Sequence, residues 1–208
     1  MFFRFFRRSI LLAIPLLLAA GSASAHHMTG GRTPSTFAEG LLSGLGHPVI
    51  GIDHLAFLIA VGIVVGMGGL NLALPVLFVA ASALGVAAHV YGITVPAAEL
   101  VVALTVLLAG LLIARGRALS AWTWGGLFAL AGLFHGYAYG ESIFGAETSP
   151  LGAYLLGLVV VQSALAVGIA LIVRRSKVGV AALAPRLLGA AIAGAGIAVL
   201  MGQIVPGA

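Results

Sequence analysis

Beyond residue 46 the chain is a succession of long apolar runs separated by short breaks of glycine, proline or charged residues. None of the runs alternates apolar and polar positions in the manner of a half-buried strand, and each is long enough for a helix that crosses a hydrocarbon layer. Hydropathy places six spans, at about 46–69, 71–92, 96–114, 120–140, 150–173 and 180–204. The third carries Pro96 in its first turn, where a missing N–H costs nothing. Ahead of the spans, Arg4, Arg7 and Arg8 precede an apolar core, Ile10 to Ala20, and a small-residue end, Ala23-Ser24-Ala25. That order is the charged, apolar and cleavage-site pattern of a secretory signal peptide, so residues 1–25 are expected to be removed. A retained first helix is the alternative, but the apolar core is short for a span. Residues 26–36 read as a polar periplasmic linker, with His26 and His27 at the new amino terminus. Residues 37–208 read as the transmembrane domain, in which Phe37 to Gly46 forms an interfacial helix leading into the first span. The expected fold is all-α, a polytopic membrane bundle of six transmembrane helices after a cleaved signal peptide.

Composition narrows the class. Of 208 residues, 62% are hydrophobic and only 7% charged, against about 25% charged in a soluble domain, so the lipid bilayer is the expected surrounding. The 30 glycines suit helix backbones that approach closely. Absence of cysteine excludes disulfides, thiolate metal sites and cysteine catalysis. The net charge of +5 reflects topology rather than a nucleic-acid partner, because the bases sit at span ends. With the mature amino terminus periplasmic, Arg115 and Arg117 fall in one cytoplasmic loop and Arg174, Arg175 and Lys177 in another. The outer loop between spans 4 and 5 holds Glu141 and Glu147 and no base. This is the positive-inside pattern of a bacterial inner-membrane protein. Trp122 and Trp124 are expected as anchors at the inner interface, Tyr91 and Tyr154 at the outer one.

The same topology gathers the ionisable residues at one depth. HPVIGIDH, His47 to His54, stands at the head of the first apolar run. Polar groups there are costly in lipid, which makes them a functional-site hypothesis by default. In a continuous helix from Pro48, His47, Gly51 and His54 fall on one stripe at i, i+4 and i+7, with no bulk at Gly51 between the imidazoles, and Asp53 points about 100° away. HGYAYGE, His135 to Glu141, repeats a histidine followed by a carboxylate six residues on, with His135 and Tyr139 on one face. His89 and Glu99 lie at the same outer level. Each has a plain reading as well: a helix-dipole acid for Glu99, an interfacial histidine for His89, a loop carboxylate for Glu141, a belt aromatic for Tyr139. Together, several imidazoles and carboxylates suit a borderline divalent cation such as nickel, cobalt or zinc. Without HExxH or clustered HxxxH boxes an enzyme is not expected, and without a P-loop any driving force would be the ion gradient or membrane potential. A haem-binding electron-transfer subunit using His54 and His135, and a non-transporting metal sensor or chaperone, are the alternatives.

HPVIGIDH resembles the H-P-x-x-G-x-D-H signature of the HupE/UreJ family of nickel and cobalt permeases, associated with hydrogenase or urease maturation. The resemblance covers nearly the whole chain and includes an FHG-x-A-x-G-x-E-like segment in the fourth span. There the family usually has A-H-G and this chain has Ala138-Tyr139-Gly140; neutral phenol is a poorer ligand than imidazole. The resemblance implies uptake of Ni²⁺ or Co²⁺ as transported substrate, with no tightly bound cofactor and with hydrogenase or urease maturation proteins as partners. Its metal-site candidates in this sequence are His47, Asp53, His54, Glu99, His135 and Glu141.

Overall fold

A computed structural model describes residues 32–205, and among them every regular element is a helix. The leader, His26 and His27, and most of the linker lie outside the described residues. The helices are α1 (Phe37–Ile50), α2 (Ile52–Met67), α3 (Ala73–Val90), α4 (Ala98–Ala114), α5 (Ala121–Glu141), α6 (Thr148–Ser176) and α7 (Leu183–Ile204). Helices α3, α6 and α7 are long and apolar enough to cross a membrane, and α1 with α2 passes the same test as one broken unit. Helix α4 is apolar but shorter.

The first expected span is not one helix. Its two halves meet at a bend of 76°, because Gly51 leaves the helical region (φ −70°, ψ 111°). Pro48 one turn earlier already removes a helical hydrogen bond. The continuous stripe through His47, Gly51 and His54 therefore does not exist. Helix α1 begins at Phe37, where the interfacial helix is expected to begin, but runs on past Gly46 to Ile50; Thr36 and Glu39 form a reciprocal capping box around its first turn, satisfying two otherwise unpaired N–H groups.

Helix α2 is the axis of the molecule. Twelve of its sixteen residues are buried, and it packs against α1, α3, α4, α6 and α7. An apolar helix enclosed on all sides needs no amphipathic stripe. Around it the chain pairs elements distant in sequence: α1 and α2 with α6, α3 with α5, and α4 with α7. Glycine makes each seam. A side chain at Gly40 or Gly44 would overlap the backbone of Pro150 or Tyr154, and at Gly62 or Gly66 would run into Ile169 or Val173. Between α3 and α5 the same holds for Gly85, Gly132 and Gly136, and between α4 and α7 for Gly110, Gly189 and Gly196. Hydrocarbon gives apolar side chains no reason to leave it, so close backbone packing through small residues carries helix association in a membrane.

The two ends of the bundle differ. At one, the termini of α3, α4, α5 and α7 surround a cavity of about 520 Å³ lined in part by His89, Glu99, Glu141 and Gln203. At the other, Arg174 donates to the Leu70 carbonyl beyond α2, and Arg186 Nε donates to the Ala114 carbonyl that ends α4 (3.1 Å). Cations on helix C-terminal carbonyls complement the helix dipole. Two of the expected interfacial aromatics are placed otherwise. Tyr91 and Trp122 are exposed, whereas Tyr154 and Trp124 are buried, Trp124 against Phe128 with ring centroids 5.7 Å apart.

Candidate metal centre

The bend at Gly51 does what a straight helix would not. It folds the end of α1 over the start of α2, so His47 and His54 meet across the break with ring centroids 5.6 Å apart. Helix α5, running alongside, brings His135 and Tyr139 on one face to the same place. The Tyr139 ring lies 4.2 Å from that of His54 and 5.0 Å from that of His47. His54 Nδ1 and His135 Nδ1 are hydrogen-bonded at 2.9 Å. His47, Asp53, His54, His135 and Tyr139 are all buried. Asp53 opens α2, and its Oδ1 accepts the His54 backbone N–H at 2.8 Å, so its charge sits where the helix dipole favours it.

Hydroxyl groups surround the imidazoles. His47 Nδ1 lies 3.0 Å from Ser142 Oγ and 3.1 Å from the Tyr154 hydroxyl, and both hydroxyls reach the Tyr139 carbonyl, at 3.0 and 2.8 Å. Tyr154 is thus part of the site rather than of an interfacial belt. On α4, Thr105 Oγ1 is 3.1 Å from His135 Nε2. Phe57 and Phe78, stacked with centroids 5.3 Å apart, pack beneath His135 at 4.8 and 6.1 Å and form an apolar floor. One atom in this cluster has no partner: the Tyr139 hydroxyl is buried and unbonded. A buried hydroxyl left in that state costs about 1–3 kcal/mol.

Of the six metal-site candidates, four come together and two do not. His47, Asp53, His54 and His135 share the buried cluster; Glu99 and Glu141 are exposed and line the cavity at the bundle's end with His89. Glu99 accepts from Gln203 Nε2 at 3.3 Å, and His89 Nδ1 donates to the Tyr137 carbonyl at 2.9 Å. The reason for Glu141's position is one residue of register. Glu141 lies one place before Ser142, about 100° round the helix, and faces the cavity while Ser142 faces His47.

The cluster is closed by its own hydrogen bonds, and among the described residues no three His, Cys, Asp or Glu side chains are arranged to hold a metal ion. Binding one requires the imidazoles to exchange those bonds for coordination. The haem reading fails on geometry: axial histidines stand on opposite faces of a macrocycle, whereas the His54 and His135 rings touch, 5.0 Å between centroids. Sequence reasoning did not single out Ser142, Thr105 or Tyr154 for the site. The signal for Thr105 was available, as a lone hydroxyl in the apolar run of the third span.

Comparison with known proteins places the chain among relatives. The family described as HupE / UreJ protein matches residues 14–199. Protein HupE of Rhizobium leguminosarum bv. viciae is 32% identical over 169 residues, which cover 79% of this chain and 86% of that protein. No solved structure matches the chain.

Proposed function

The chain belongs to the HupE/UreJ family, and on that premise we propose that it is an inner-membrane permease for Ni²⁺ or Co²⁺. Six crossings, with α1 and α2 as one broken span and the mature amino terminus periplasmic, put the outer cavity on the periplasmic side. His89, Glu99 and Glu141 there attract a dication and pass it to the buried cluster. His47, His54 and His135 ligate it, and Asp53 offsets the cost of a double charge in low dielectric. Inward movement of a +2 ion gains roughly 4–5 kcal/mol per 100 mV of membrane potential, twice the single-charge value. Delivered metal would supply hydrogenase or urease maturation proteins. The protein acts as a carrier rather than an enzyme.

The observation that carries this reading is the buried cluster of three imidazoles, with the Tyr139 ring packed against two of them and its hydroxyl buried and unbonded. Ionisable groups buried in a membrane bundle, even where they pair with one another, are costly and mark ion pathways. The test is radiolabelled nickel uptake measured beside membrane abundance. His54→Ala deletes a metal bond and is expected to abolish saturable uptake at normal abundance. Asp53→Asn keeps the shape and an acceptor for the His54 N–H but removes the charge, so it is expected to weaken uptake in a way higher nickel partly restores. If His54→Ala inserts normally and transports like the parent, the cluster is packing and the proposal is wrong.

A further inference from the structure

Thr105 lies on α4, outside every motif named above, yet it is the end of a hydrogen-bonded chain that reaches His54. Its side chain is buried, and Oγ1 donates its single proton to the Val102 carbonyl at 2.7 Å. That is the usual back-bond of a helical threonine. A hydroxyl that has given its proton away can only accept from a second neighbour. The bond of 3.1 Å to His135 Nε2 must then run from Nε2–H to Oγ1.

The next bond follows. A neutral imidazole carries one N–H, so His135 protonated at Nε2 holds its lone pair at Nδ1. Two facing Nδ1 atoms 2.9 Å apart share one proton between them, and His54 must supply it. His54 is therefore the Nδ1–H tautomer, with its lone pair on Nε2. In the imidazole ring, Cδ2 and Nε2 form the edge opposite Nδ1. Cδ2 is the His54 atom that a side chain at Gly51 would meet, 2.7 Å away. The bonded nitrogen thus faces His135 on α5, and the Cδ2 carbon next to Nε2 faces Gly51 at the break in the first span.

We propose that Thr105 is a positioning residue. By accepting from His135 it fixes the direction of the Thr105–His135–His54 chain and presents His54 Nε2 as the metal-binding nitrogen. This rests on the reading of His54 as a ligand. It makes His135 a relay in the metal-free state and predicts that His54 and His135 differ in tautomer although both sit in one cluster.

Solid-state NMR of isotope-labelled histidine nitrogens in the metal-free, membrane-embedded parent is expected to show His54 protonated at Nδ1 and His135 at Nε2. The reverse assignment overturns the proposal with no variant made. Thr105→Val keeps the shape and removes the hydroxyl. It is expected to blur the single His54 pattern and to raise the half-saturating Ni²⁺ concentration for uptake about tenfold to a hundredfold, the range for groups that orient metal ligands. Thr105→Ser restores the acceptor and is expected to return both readouts to the parent's. An imidazole spectrum unchanged in Thr105→Val overturns the proposal whatever uptake does. Absence of saturable nickel uptake in the parent would instead overturn the permease reading, and the parent spectrum would still decide the direction of the chain.

Discussion

Tyr139 has a buried phenolic O–H with no hydrogen-bond partner. Its ring nonetheless packs against His47 and His54, so the ring stabilises and the hydroxyl does not. Tyr139→Phe is accordingly expected to hold or raise the unfolding temperature of the purified protein, by up to the 1–3 kcal/mol or so that an unmet buried hydroxyl costs, while reducing nickel uptake. A fall of several degrees in a thermal melt would mean that the hydroxyl has a partner in the resting protein. The imidazoles and Asp53 were legible in the sequence because ionisable groups beside an uninterrupted apolar run are expensive and stand out. Ser142, Thr105 and Tyr154 were not. A hydroxyl in a membrane helix can satisfy itself on a backbone carbonyl, as Ser142 and Thr105 both do, and so leaves no energetic mark on the sequence. Glu141 was legible as a carboxylate but not in its direction, which a single residue of helical register decides.

Among the elements, helix positions follow from hydropathy, and the expected runs each contain a helix or, for the first, a broken pair. The break itself is invisible to hydropathy, since apolar residues continue on both sides of Gly51. The Thr36-x-x-Glu39 capping pattern and Pro48 were the local marks of a separate α1. What no periodicity discloses is which helices pair, because the seams depend on a handful of glycines matched across the chain. Gly136 rests on the Ser82 carbonyl, directly beside His135, and any side chain there would overlap it. Gly152 on α6 has nothing within 4 Å of where a side chain would begin. Gly136→Ala is therefore expected to cost about 1–3 kcal/mol through forced separation of α3 and α5. Gly152→Ala should be neutral or gain up to about 1 kcal/mol from helix propensity. Thermal melts of the two variants in one detergent would compare them, and equal effects would contradict the seam.

On the scale of the whole molecule, the described bases other than Arg32, which precedes α1, lie toward one end. Arg115, Arg174 and Arg186 gather where α4 and α6 finish and α7 starts, opposite the cavity holding Glu99 and Glu141. This is the asymmetry expected if the basic end is cytoplasmic. A reporter inserted in the loop carrying Arg115 and Arg117 is expected to behave as a cytoplasmic tag. Alkaline phosphatase activity from that position would invert the bundle and move the histidine cluster to the inner side.

Helix α6 gives the centre a single side chain, Tyr154, yet it grips both arms of the broken span. Gly40 and Gly44 seat α1 on Pro150 and Tyr154, while Gly62 and Gly66 seat α2 on Ile169 and Val173. Gly51 is then the elbow of a pair of calipers whose opening is held by a third rod. The spacing between His47 and His54 is written largely in the contour of α6, and on the proposed permease reading so is the size of ion they would close around. On that reading, substitutions along that helix, turns away from any imidazole, would retune the chain from one metal to another without touching a ligand.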